Sequence, residues 1–136
     1  MAGTLLVEDV MTRDVKVVDP DASVAEVAAA MNRFGVGSII VVEGGEPVGV
    51  VSERDILRRV VEPCLSPEAT AARQIMSSPV VSIHESATLG EAVRLMTERR
   101  VRKVPVVREG QLVGIVTYTD VVSEALAMVS LLGELV

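Results

Sequence analysis

Two spacings of apolar residues alternate along this chain. Short Val- and Ile-rich runs at 15–18, Ser38–Glu43, 47–52, 80–83, Lys103–Arg108 and Gln111–Thr117 predict strands, because β-branched side chains restrict χ1 and fit an extended backbone. Gly44-Gly45 and Glu109-Gly110 divide the longer runs into pairs. Such dipeptides favour a two-residue hairpin, since glycine adopts positive φ without a Cβ clash. Elsewhere the apolar positions fall three or four apart: Val24, Val27, Ala28 and Met31, then Leu89, Ala92, Val93 and Met96. That period predicts helices with one core-facing stripe. Ser23-Val-Ala-Glu26 and Thr88-Leu-Gly-Glu91 stand at their starts and match the capping box, in which hydroxyl and carboxylate satisfy free N–H groups. Second helices are expected from about Glu53 and from about Tyr118, the latter running to about Leu132. Short helical turns are expected at 7–11 and 70–76.

The order strand, helix, strand, strand, helix therefore occurs twice. An ungapped offset of 65 residues lays 11–57 over 76–122 with thirteen identities, including Met11/Met76, Ala22/Ala87, Glu26/Glu91, Met31/Met96, Gly45/Gly110, Gly49/Gly114 and Asp55/Asp120. Val-rich composition alone would not bring Met, Glu, Gly and Asp into register, so the chain is an internal duplication. The reading is an α/β (α+β) fold of two tandem βαββα repeats related by a pseudo-two-fold axis. Its parts are repeat 1 at 7–61, a Pro- and Ser-containing linker at 62–69, repeat 2 at 70–126 and a helical extension at 127–136.

A length of 136 residues fits one domain or two very small ones. A unit of about 60 residues buries little surface, so the two repeats are expected to share a core. With Phe34 and Tyr118 as the aromatic residues, that core must be aliphatic. The net charge of −6 and the lack of a long basic stretch argue against a nucleic-acid partner, as does the scarcity of rings on which bases could stack. Cys64, the lone cysteine, leaves no intrachain disulfide or Cys-rich metal site and fits a reducing cytoplasm. No signal peptide follows Met1. The apolar stretch at 125–132 falls far short of the roughly 20 residues of a membrane span, so membrane insertion is not expected. The last helix carries Val121, Val122, Leu126, Met128, Val129 and Leu132 on more than one stripe, which suggests a further neighbour and hence a homodimer. His84 is the one histidine and reads as a surface residue. The chain has no Gly-x-Ser-x-Gly elbow, P-loop or Cys/His pair. Neither catalysis nor a catalytic cofactor is expected.

Each repeat ends its last strand in the same way: Gly49-Val-Val-Ser-Glu-Arg-Asp55 and Gly114-Ile-Val-Thr-Tyr-Thr-Asp120. Two readings of Ser/Thr-x-x-Asp stand side by side. It is close to a capping box, with Ser52 or Thr117 as N-cap. It also sets a hydroxyl and a carboxylate beside the free N–H groups of a helix start, where a phosphate is favoured. Arg54, with Thr119 as its counterpart, is placed to reach such a phosphate or else to lie in solvent. Arg99, Arg100, Arg102 and Lys103 surround the end of the second repeat's first helix, where the first repeat has Phe34, Gly35, Gly37 and Ser38. Cations are also favourable at a helix C-terminus in their own right.

A tandem βαββα pair with these endings resembles the CBS-domain pair, or Bateman module, over almost the whole chain. Met11 and Met76 before the first strands, and Gly-Ser-Ile-Ile-Val-Val and Arg-Lys-Val-Pro-Val-Val in the second strands, belong to the same resemblance. It implies a regulatory module that binds AMP, ADP or ATP in clefts between the repeats and shifts conformation or partner binding. The alternatives are S-adenosylmethionine or NAD(H) as ligand, or a ligand-free dimerisation scaffold. By the same resemblance Asp55 and Asp120 would bind ribose, and Ser52 and Thr117 would bind phosphate. Adenine would lie along Val15 and Val80, with Ile39 or Ile40 and Val104 or Pro105 as walls. Four CBS units would form a disc-shaped homodimer acting on an unidentified effector protein. The basic edge at Arg102 and Lys103 would make the second repeat's site the one that prefers the more phosphorylated or tighter-bound ligand.

Overall fold

A computed structural model describes residues 5–134. Its elements are α1 (Val7–Val10), β1 (Val17–Val18), α2 (Val24–Phe34), β2 (Ser38–Glu43), β3 (Glu46–Ser52), α3 (Glu53–Ile56), α4 (Ala72–Ile75), β4 (Ile83–His84), α5 (Leu89–Arg99), β5 (Lys103–Arg108), β6 (Gln111–Thr117) and α6 (Tyr118–Glu134). A single π-helical turn, Leu57–Val61, continues α3. The result is a mixed α+β chain with two three-stranded sheets, ordered β1-β2-β3 and β4-β5-β6.

Each sheet combines a parallel pair, joined through a crossover helix, with an antiparallel hairpin. The hairpins turn on Gly44-Gly45, at φ 60 and 82, and on Glu109-Gly110, at φ 52 and 80. Both are the positive-φ turns expected from those dipeptides, with Glu109 accepting a conformation that suits glycine. Both hairpins shift register just before the motif glycine, between Val41 and Val42 and between Val106 and Val107.

The first strands are shorter than expected. Residues 15–18 supply only Val17 and Val18, and 80–83 supplies only Ile83, followed by His84. Val17 pairs with Ile40, but the equivalent pairing of Ser82 with Pro105 is missing and the ladder begins at Ile83 with Val106. Pro105 lacks the N–H that Ile40 offers at that place.

The helix starts also differ in part from expectation. Ser23 accepts from the Glu26 N–H at 3.1 Å, and Thr88 accepts from the Glu91 N–H at 3.1 Å. The reciprocal carboxylate half of each box does not form among the described residues. Carbonyls from a neighbouring segment meet the first turn of α2 instead: Val24 N donates to Thr70 O at 2.8 Å and Ala25 N to Pro67 O at 3.0 Å.

The chain divides into two compact units that cut across the sequence repeats. Among the described residues, 16–80 make one unit, and 5–15 with 81–134 make the other. Each unit has a buried cluster of its own, and each cluster draws on both repeats. Val24, Val27, Met31, Ile39, Val41, Val51, Val60, Ala72 and Ile75 fill the first unit. Val7, Met11, Ala92, Met96, Val104, Val106 and Val116 fill the second. The reason lies in the segments that lead into each repeat. The turn α4, which by sequence leads into repeat 2, packs in the first unit, and α1, which leads into repeat 1, packs in the second. Each leading segment also pairs with the outer edge of a hairpin. Ser77 exchanges backbone hydrogen bonds with Val50 at 2.8 and 3.1 Å, and Thr12 with Ile115 at 2.8 and 2.9 Å. Both hairpin edges are thereby partly covered.

Two of the pairs identical in register, Met11/Met76 and Gly49/Gly114, meet at this place. A Cβ on Gly49 would collide with the Met76 side chain, and one on Gly114 would lie 2.9 Å from Met11 Cγ and 3.1 Å from the Thr12 carbonyl. Gly114→Ala is therefore expected to cost about 1–3 kcal/mol through overpacking. Gly90→Ala in α5, whose added Cβ meets nothing closer than 3.9 Å, should instead gain up to about 1 kcal/mol from reduced backbone entropy. Urea unfolding of both variants measures this, and a shift of the same sign in the two would contradict the methionine packing.

Candidate functional site

The candidate site forms where a hairpin strand runs directly into a helix. At the end of β3, Ser52 keeps an extended backbone (φ −110, ψ 166) while Glu53 begins α3. The Ser52 hydroxyl accepts from Asp55 N–H at 3.1 Å, and Ser52 N–H donates to Asp55 Oδ2 at 2.9 Å. At the end of β6 the geometry repeats: Thr117 Oγ1 accepts from Asp120 N–H at 3.2 Å, and Thr117 N–H donates to Asp120 Oδ2 at 2.9 Å. Of the two readings left open by spacing, capping is thus realised in both copies. It occupies one oxygen of each carboxylate and the acceptor side of each hydroxyl. Among the described residues, the hydroxyl protons of Ser52 and Thr117 have no protein acceptor.

The second carboxylate oxygens differ between the copies. Asp55 Oδ1 accepts from Ser77 Oγ at 3.2 Å and lies 3.9 Å from Arg59 Nε. Arg59 Nη1 in turn donates to the carbonyls of Ile75 and Met76, at 2.9 and 3.1 Å. Asp55 is left only 9% exposed. At 65 residues further on, Arg59 is replaced by Glu124 and Ser77 corresponds to Thr12. Asp120 is half-buried, and among the described residues its second oxygen has no hydrogen bond or ion pair.

A backbone hydrogen bond ties each motif to the residue that precedes the neighbouring strand. Tyr118 N–H donates to Arg102 O at 2.8 Å, as Glu53 N–H does to Gly37 O at 3.0 Å. The bond brings side chains of different character to the two sites. Arg102 is exposed and holds its guanidinium 5.3 Å from the centre of the Tyr118 ring, a cation–π contact. The Glu53 carboxylate lies over Gly37, 3.6 Å from where a Cβ would stand. Lys103 is half-buried, and that burial lowers its pKa from the ordinary lysine value by penalising the charged form. Arg54 and Thr119 are both exposed, one residue before their aspartates.

The remaining positions lie in different surroundings. Val15 and Val80 are half-buried. Ile39 and Val104 point into the two cores, at 1% and 0% exposure. Alternation along the strand puts Ile40 and Pro105 on the opposite sheet faces, and both are buried there too, Ile40 at 1% exposure. His84 is exposed, and its Nδ1 lies 2.7 Å from Ser86 Oγ.

Tyr118, Arg59 and Ser77 belong to the site environment but do not stand out in the sequence. Arg59 had a local signal, since it lies one turn after Asp55. Tyr118 is a middle residue of its own motif, where the pattern leaves the residue type open. Ser77 is 22 residues from Asp55, and no local pattern links them.

Known proteins with similar chains agree with this architecture. MK0525 of Methanopyrus kandleri is 37% identical over 94% of this chain, which spans 66% of the length of that relative. The CBS domain-containing protein YhcV of Bacillus subtilis is 35% identical over 84% of this chain and 81% of its own. A CBS-CP12 protein from bloom-forming cyanobacteria, hexameric in its structure, superposes with a TM-score of 0.76 at 26% identity, covering 90% of this chain and 72% of its own. The CBS-domain family model matches at 7–62 and again at 72–127. The chain belongs to the CBS-domain family and carries two copies of that domain.

Proposed function

We propose that this regulatory CBS-pair module binds an adenosine nucleotide of the AMP, ADP or ATP class and responds by a shift in conformation or partner binding. The observation that carries the reading is the state of the Thr117–Asp120 motif. After capping α6, it still offers a hydroxyl proton and a carboxylate oxygen, beside the exposed guanidinium of Arg102. A carboxylate oxygen accepts the hydroxyls of a ribose, while a hydroxyl, a guanidinium and the N-terminal N–H groups of a helix all favour phosphate. Adenine would lie against small apolar side chains, with Ile39 or Ile40 and Val104 or Pro105 as candidate walls. S-adenosylmethionine and NAD(H) share the adenosine part and remain alternatives for the same groups. The ligand acts only so far as it binds two arrangements of the chain with different affinity.

Association with a second copy of the chain is the accompanying proposal. None of the described residues of α6 is buried. Leu126, Met128, Val129, Leu131 and Leu132 are each more than half exposed. A helix with this much apolar surface gains by covering it. The hexameric assembly of the cyanobacterial relative supports the same tendency. Nucleotide and second copy are compatible partners, and the effector protein that reads the bound state is not identified by any feature of the chain.

Thermal unfolding with AMP, ADP, ATP, NADH and S-adenosylmethionine tests the ligand. At about 100 times its dissociation constant the correct compound should add about 2.7 kcal/mol of stability, and Arg102→Ala and Lys103→Ala should weaken ATP more than AMP. No shift with any of the five would leave the scaffold reading, and unchanged affinity in both variants would remove the basic edge from the site. Light scattering on the same samples should give at least twice the chain mass; the mass of one chain would contradict association through α6.

A further inference from the structure

The two motif copies are alike in sequence but differ in what their carboxylates are free to do. We propose that the Asp55 copy is an internal lock and takes no ligand, so that each chain binds one nucleotide, at Thr117 and Asp120. The inference rests on the ligand class proposed above and adds which copy is used and why.

Three observations carry it. First, both oxygens of Asp55 have protein partners. Oδ2 accepts from Ser52 N–H, and Oδ1 accepts from Ser77 while facing Arg59. A ribose would have to displace Ser77 from a carboxylate that is 9% exposed. A displaced buried group is left with its desolvation cost unmet. Asp120 has the same capping contact, yet among the described residues nothing occupies its other oxygen. Second, the lock ties together parts of the chain that are distant in sequence. Arg59 holds the carbonyls of Ile75 and Met76 while Ser77 holds Asp55, so the π-helical turn after α3 is fastened to the end of α4. In the other unit Glu124 stands in the place of Arg59 and has no proton to give to a carbonyl when ionised. Third, the edge of each motif has a different charge. Glu53 lies over Gly37 in the first copy, where a phosphate would meet a carboxylate. Arg54, the neighbouring residue, is exposed and carries the opposite charge. The second copy has Arg102 over Tyr118 at the equivalent place, with Tyr118 standing where the first copy has Glu53.

Titration calorimetry of the full chain with AMP and with ATP tests the stoichiometry. One nucleotide per chain is expected. Asp120→Asn and Thr117→Ala should weaken binding about tenfold or more, the effect of losing a hydrogen bond to a charged group. Asp55→Asn and Ser52→Ala should leave the affinity within about twofold, and Ser52→Ala carries that comparison if Asp55→Asn does not fold. Two nucleotides per chain would overturn the proposal, as would weakening by Asp55→Asn or Ser52→Ala equal to that caused by the second-copy variants. The lock has a readout that needs no ligand: the urea midpoint should fall further for Asp55→Asn than for Asp120→Asn, and an equal or smaller fall would overturn it. Absence of heat with AMP, ATP, NADH and S-adenosylmethionine alike, together with the expected order of urea midpoints, would reject the nucleotide reading while leaving Asp55 as a lock.

Discussion

A methionine laid across a bare glycine closes each unit. Met76 covers Gly49 and Met11 covers Gly114, and beside each contact a two-bond bridge attaches the leading segment to the hairpin edge. A Cβ at either glycine would displace the methionine, so a larger residue there would disturb this packing. The consequence reaches through the whole arrangement. Each sequence repeat gives its leading turn to the unit built on the other, so neither repeat is a complete packing unit alone. The hairpin that receives the turn ends in the Ser/Thr-x-x-Asp motif. The segment that seals the core therefore also adjoins the candidate site.

That adjacency explains how one motif can serve two ends. A carboxylate has two oxygens, and the cap of α3 or α6 uses one. What happens to the other depends on the leading segment. Next to Asp55 it presents Ser77, supported by Arg59. Next to Asp120, Thr12 and Glu124 stand in the corresponding places and leave the oxygen without a protein partner among the described residues. Helix capping and ligand binding are thus successive uses of the same groups, and the second is open only where the first leaves capacity.

The sequence revealed what is local and periodic. Ser38–Glu43, Lys103–Arg108 and Gln111–Thr117 begin and end where alternation and turn residues place them, and both glycine-containing turns adopt the positive φ that their composition asks for. The first strand of the second repeat was harder to read, because a ladder needs a partner's N–H and Pro105 withholds one. Ser23 and Thr88 cap their helices as expected, but Glu26 and Glu91 do not complete the box. Pairings across long separations had no trace in the pattern. The offset of 65 shows that Met11 and Met76 are equivalent; it carries no information about which glycine either one covers. Likewise the motif announced Asp55 and Asp120 together, while the residue that tells them apart, Ser77, lies in a different segment.

The central claim is that the motif left over after capping holds an adenosine nucleotide. Native mass spectrometry of the full chain, purified without added nucleotide and again after addition of ATP, tests it most directly. The account predicts an adduct with the mass of an adenosine nucleotide in the second sample, and in the first if the ligand survives purification. The bare chain mass in both samples would contradict it.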